Sequence, residues 1–200
     1  MLFDETYKEL EKHSIAIYKE KKSKFIAYAY PIYSESQFKT KISEIKKAES
    51  SANHHCYAYI LHPDKSVYKF SDDGEPNYTA GKPILKQIQK HELTNILIVV
   101  VRYFGGIKLG IPGLIQAYKN ATKNVLNQSK FITKMIKEKY IISCDDTEMN
   151  YVMRLIKKYS VEIINTDFQK QFKISILVPR IKAGIIIKEF KKNHKLNIKY

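Results

Sequence analysis

Ile96–Tyr118 reads ILIVVVRYFGGIKLGIPGLIQAY: an uninterrupted apolar run, a turn holding four of the chain's seven glycines, then a helical repeat. The run Ile96–Val101 suits a buried strand. Glycine is costly to order and is used where a backbone must turn tightly or come close to something. Beyond the turn, Leu114, Ala117 or Tyr118, Ala121 and Val125 fall on one helical face, and Pro112 fits the first helical turn, where its missing N–H costs nothing. A strand–turn–helix corner can aim free backbone N–H groups and the positive end of a helix dipole at one point. The stretch is not GxxxxGK[ST], because Ile111 follows Gly110, and it is not GxGxxG. A nucleotide-hydrolysing loop is disfavoured. Two readings stay open: a packing corner, or an anion or nucleic-acid contact made by Arg102, Gly105, Gly106, Lys108 and Gly110.

Outward from this corner the chain falls into two parts, expected at 1–134 and 135–200. Towards the N-terminus, KSKFIAYAYPIYS alternates like a strand and SESQFKTKISEIKKAES reads as a capped helix with Phe38, Ile42 and Ile45 inward. NHHCYAYIL and VYKFS are strand-like, SDDGEPNYTAGKP is a turn-rich loop, and ILKQIQKHE is a short helix. In the second part KYIISCD predicts a strand and DTEMNYVMRLIKKYS a helix. VEIINTDFQ and KQFKISILVP predict two more strands, Ala183–Phe190 a helix, and LNIKY a last strand. The order βαββαβ predicts a ferredoxin-like α/β sandwich, so the fold class is α+β.

The chain carries 35 Lys and Arg against 20 Asp and Glu, a net charge of +15. Such a field favours polyanions such as RNA or DNA, although an AT-rich coding bias would give the same lysine excess. Only three of the cations are arginines (Arg102, Arg154 and Arg180), so contacts to phosphate and shape are expected rather than base readout through arginine. No apolar segment reaches the roughly 18–20 residues of a membrane span, and the charged N-terminus has no signal-peptide core. Two distant cysteines, Cys56 and Cys144, make no disulfide framework. A cytoplasmic protein without membrane partners is expected.

Other residue clusters carry competing readings. Asp72, Asp73 and Glu75 in SDDGEP are dense enough to hold Mg²⁺ or supply an acid–base pair, yet an Asp- and Gly-rich turn uses the same groups to satisfy backbone N–H. Lys82 follows in TAGKP. In HHC, a strand places His54 and Cys56 on one face and His55 on the other; with no CxxC or HxxxH partner, packing outweighs zinc or a Cys–His nucleophile. Tyr57, Tyr59, Tyr78, Tyr103, Phe104 and Tyr118 lie near the basic and glycine-rich segments, where exposed rings stack on bases. Tyr78, in the loop, is the best placed for exposure.

Taken in order, HHCYAYIL, SDDGEPNYTAGKPIL, LTNILIVVVRYFGGIKLGIPGLIQAY and the C-terminal pattern resemble the IMPACT family, which includes the bacterial YigZ-type proteins. The resemblance implies an N-terminal fold similar to the second domain of a small-subunit ribosomal protein. It implies a C-terminal domain similar to the ferredoxin-like domain V of elongation factor G. Eukaryotic relatives regulate translation under amino-acid starvation with the help of an extra N-terminal domain; this chain begins directly with the shared part, so that mechanism is not expected to transfer. The family stretch is commonly GGIKLGAGGLVRAY, so Pro112 replaces a glycine and Gln116 an arginine. NYTAGKP stands for the usual SGTAGRP, with Asn77, Tyr78 and Lys82 as the departures.

These readings together predict a non-enzymatic RNA- or ribosome-binding protein with a role in translation. It needs no cofactor or metal, has a protein partner in translation as a further option, and contacts anions through Tyr78, Lys82, Arg102, Gly105, Gly106, Lys108 and Gly110. The alternatives are a metal- or nucleotide-dependent enzyme built on the SDDGEP loop, and a protein-interaction module.

Overall fold

A computed structural model of the chain describes residues 5–167 and 172–200. The parts of the two expected strands that fall on 168–171, and the first four residues, lie outside the described residues. Two compact units divide the chain, Tyr7–Lys134 and Met135–Tyr200, the latter joined by Glu5 and Thr6.

The first unit runs β1 (Thr6–Leu10), β2 (Ser14–Glu20), β3 (Ser23–Pro31), α1 (Glu35–Ala48), β4 (His54–Leu61), β5 (Val67–Ser71), α2 (Gly81–Lys90), β6 (Ile96–Tyr103), α3 (Gly110–Gln128) and β7 (Phe131–Met135). Its main sheet is antiparallel throughout, in the order β2-β3-β6-β4-β5, and β1 pairs with β7 in a separate ribbon. The central strand explains its own composition. Ile96, Ile98 and Val100 pack into one cluster beneath α2 and α3, while Leu97, Val99 and Val101 pack into another beneath α1. A strand covered on both faces has no polar side, hence the unbroken apolar run. Each such side chain contributes roughly 1.5–3 kcal/mol by leaving water.

Strand β4 obeys the same geometry. Cys56, Ala58 and Ile60 face α2 and α3, and Tyr57, Tyr59 and Leu61 face α1. Helix α1 begins at an N-cap, Ser34, whose hydroxyl accepts from the Gln37 N–H, and it buries Phe38 and Ile45. Edge strand β2 reverses the usual hydrophobic reading: Ala16 is buried, while Ile15 and Ile17 are exposed because α1 does not extend over that edge.

The second unit runs β8 (Lys137–Cys144), α4 (Asp146–Tyr159), β9 (Glu162–Asp167), β10 (Phe172–Pro179), α5 (Arg180–Lys191) and β11 (Asn197–Lys199). Its βαββαβ elements form a sheet ordered β11-β8-β10-β9, the fourth, first, third and second strands of the unit. Ile142, Ile174, Ile176 and Val178 pack against Val152, Leu155, Ile186 and Phe190 of the two helices. The opposite face, set by strand alternation, carries the exposed Lys139, Lys173 and Lys199. Among the described residues no helix is long and apolar enough to cross a membrane.

Candidate nucleic-acid interface

The acidic loop is drawn inward, each carboxylate to a different set of donors. Asp72 Oδ1 accepts from the N–H groups of Ala80 (3.0 Å) and Gly81 (2.9 Å), and Oδ2 from that of Tyr78 (2.9 Å). It therefore caps α2, whose own N-cap residue, Ala80, has no side chain for the task. Asp73 accepts from the His55 N–H at 2.7 Å and from Lys46 Nζ at 3.1 Å. Burial would raise the Asp73 carboxyl, but these two donors outweigh it and hold the group below its usual range. Glu75 is buried, with Oε1 2.7 Å from the Arg102 guanidinium and 2.8 Å from the Tyr118 hydroxyl that donates to it. Among the described residues no three His, Cys, Asp or Glu side chains converge as a metal would require.

Arg102 is equally buried, between the rings of Phe25 and Phe104, so its charge is spent inside the fold. Cys56 lies behind it, its sulfur 2.9 Å from the Asp72 carbonyl oxygen and 3.3 Å from the Tyr118 hydroxyl. Burial pushes the Cys56 thiol well up, with its hydrogen bond to the Tyr118 oxygen opposing, and pushes the Tyr118 phenol up too, with Cys56 and Glu75 adding to the effect. Both stay protonated near neutral pH, and a neutral, enclosed thiol is no nucleophile. His54 is tied by Nδ1 to the Asp73 carbonyl at 2.9 Å. The HHC segment and the acidic loop thus form one polar knot against β6, buried at Cys56, Glu75, Arg102 and Tyr118 and partly exposed at His54 and Asp73.

The glycine corner sits on this knot. Gly105 is forced by a close approach: a Cβ there would lie 2.1 Å from the backbone carbon and oxygen of Lys22, in the β2–β3 turn. Gly106 (φ +85°) and Gly110 (φ +71°) adopt the left-handed region instead, and Gly106 has nothing within 4 Å of an added Cβ. Lys108 is exposed between them. The two helix starts contrast. Asp72 fills the N-terminus of α2, whereas α3 has no side-chain cap and no acidic residue in its first turn. Its orphan N–H groups and partial positive charge face outward beside Lys108.

From the corner a polar and apolar surface continues along α3, because Ile111, Ile115 and Lys119 are spaced four apart and exposed. Ile115 and Lys119 form one wall of a groove of about 420 Å³ whose other wall is Lys82, Lys86 and Lys90 of α2, with Tyr78 at its end. Among the described residues none of these four lysines makes an ion pair. Tyr78 is 59% exposed and carries Lys82 Nζ 4.8 Å from its ring centre. The corner residues Gly106, Lys108 and Gly110 and the groove residues Tyr78 and Lys82 thus face solvent around α3, while Arg102 does not join them. Of the other aromatics, Tyr59 and Tyr118 are core and Phe104 is exposed. Sequence reasoning missed Lys86, Lys90 and Lys119. The spacing of Lys82, Lys86 and Lys90 at i, i+4 and i+8 was the readable signal.

The fold and this surface define a two-unit α/β protein with a basic, concave face on its N-terminal unit. A profile of the Impact N-terminal domain matches residues 21–126. An IMPACT family member of Haemophilus influenzae is 38% identical over 151 residues, covering 74% of this chain and 73% of its own length. The IMPACT family member YigZ of Escherichia coli is 34% identical over 166 residues, covering 82% and 81%. A solved structure described only as that of a hypothetical protein superposes with a TM-score of 0.79 at 30% identity, covering 98% of this chain and 97% of that one. The chain belongs to the IMPACT family.

Proposed function

We propose that this chain is a non-enzymatic RNA- or ribosome-binding protein that modulates translation. The observation that carries the reading is the lysine-walled groove: four cations without ion-pair partners line one concavity, and the surface runs on to the uncapped start of α3 at Lys108. Lysines held apart from acidic neighbours are free to displace the counterions of a phosphate backbone. The second unit, with its own helix-free face bearing lysines, supplies a further contact area. Likeness of the first unit to a small-subunit ribosomal protein domain, and of the second to domain V of elongation factor G, belongs to the same proposal and agrees with a place on the translation machinery. An enzyme built on SDDGEP is disfavoured, since backbone, lysine, arginine and tyrosine donors already engage its carboxylates.

The test is RNA binding by fluorescence anisotropy across a salt series. Log affinity is expected to fall linearly with log salt, and Lys86→Glu or Lys119→Glu is expected to weaken binding across all sequences and reduce the slope by roughly one. Folded protein that binds no RNA at low salt, or binds with no salt dependence, contradicts the proposal.

A further inference from the structure

We infer that the α2–α3 groove is a base-accepting subsite for single-stranded RNA, taking one unstacked nucleotide against Tyr78 with its phosphates on the lysine wall; this rests on the RNA-binding reading and names its site. The floor of the groove supplies an observation independent of charge. Gln87 lines it, is only 7% exposed, and its side-chain amide has no hydrogen-bond partner among the described residues. The side chain is largely enclosed while its amide stays open to the groove, because Arg102 Nε is the one buried side-chain nitrogen or oxygen without a partner among the described residues. The paired donor and acceptor of the Gln87 amide match the edge of a base, so a ligand in this groove meets a group already waiting for it.

Tyr78 is held where stacking needs it. The Asp72 carboxylate accepts its N–H, Phe70 lies 6.2 Å away ring to ring, and Lys82 reaches over the ring from the next helix. A base settling on the ring leaves the flexible Lys82 free for the adjoining phosphate. Lys82, Lys86 and Lys90 cover about 12 Å of helix rise, enough to follow the backbone past the bound base. An aromatic platform, a groove-lining amide and a cationic wall in a pocket-sized concavity fit a splayed-out nucleotide. A duplex keeps its bases stacked and cannot offer one to Gln87.

Tyr78 also permits a clean test. Its φ is +65°, a conformation that glycine adopts without strain, so Tyr78→Gly deletes the ring and keeps the turn. Wild type, Tyr78→Gly and Gln87→Met are compared for binding to a twelve-uridine and a twelve-adenosine RNA, a twelve-base-pair RNA duplex, and UMP and AMP. Single strands are expected to bind better than the duplex. Tyr78→Gly is expected to weaken single-strand binding by about 5- to 150-fold, the effect of losing one stacked base, with an unchanged thermal midpoint and salt slope. Gln87→Met is expected to narrow the difference between the uridine and adenosine strands. Unaltered single-strand affinity in Tyr78→Gly, with salt-dependent RNA binding intact in wild type, overturns the subsite and leaves the RNA-binding reading standing. Absence of RNA binding in wild type overturns both. Mononucleotides binding as tightly as the oligonucleotides make a free nucleotide the occupant and overturn the RNA assignment.

Discussion

Glu75→Ala is expected to cost the first unit about 3–5 kcal/mol of folding stability, the penalty for leaving one partner of a buried ion pair uncompensated. The Glu75 and Arg102 side chains are 4% and 6% exposed, and their contact is 2.7 Å. Without the carboxylate the Arg102 guanidinium stays enclosed between Phe25 and Phe104, where the rings offer only weak compensation. The Tyr118 hydroxyl loses its acceptor in the same step. The measurement is a urea unfolding midpoint, read against a double variant, Glu75→Ala with Arg102→Met. Removing both charges is expected to recover more than half of the loss, because no unpaired charge then stays buried. A loss below about 1 kcal/mol in the single variant would show that the knot is not what holds the loop under β6.

Gly105→Ala is expected to be the most damaging substitution in the glycine corner, at about 1–3 kcal/mol or more, because it forces backbone against backbone. The added Cβ would sit 2.1 Å from Lys22 and 2.5 Å from the Ser23 nitrogen, so the β2–β3 turn must move. The turn is already constrained, with Lys21 and Lys22 both at positive φ, and Ser23 accepts the Gly105 N–H at 3.2 Å. Thermal unfolding measures the loss. Gly184 is the control: it lies in α5 with nothing within 4 Å of an added Cβ, and alanine there is expected to gain up to about 1 kcal/mol. Equal effects at the two positions would remove the close-approach explanation.

These two sites show what was legible in the chain and what was not. The strand, turn and helix of Ile96–Tyr118 were readable because composition and period change together there, and the βαββαβ order of the second part followed from the same signals. Strands β1, β2 and β7 were not read. β1 and β7 pair across more than a hundred residues, and β2 exposes its isoleucines while burying Ala16, so neither carries the alternation a strand is recognised by. The acidic loop was open between turn and metal because the same carboxylates serve both, and the donors that distinguish the two lie far off in sequence. His55, Arg102 and Tyr118 meet the loop across 18, 27 and 43 residues. The two readings of the corner divide by residue: Gly105 is a packing glycine, whereas Gly106 and Gly110 shape an open helix start. The groove depended on tertiary structure, since the row of lysines on α2 becomes concave only beside Ile115 and Lys119 of α3.

The most direct test of the central claim is crosslinking of the protein to RNA in cells, followed by sequencing of what is bound. The account predicts ribosomal RNA enriched over a folded, non-binding control, with the enrichment lost in Lys108→Glu and Lys86→Glu. Recovery of no RNA above that control, or of the same RNA undiminished in both variants, would contradict it.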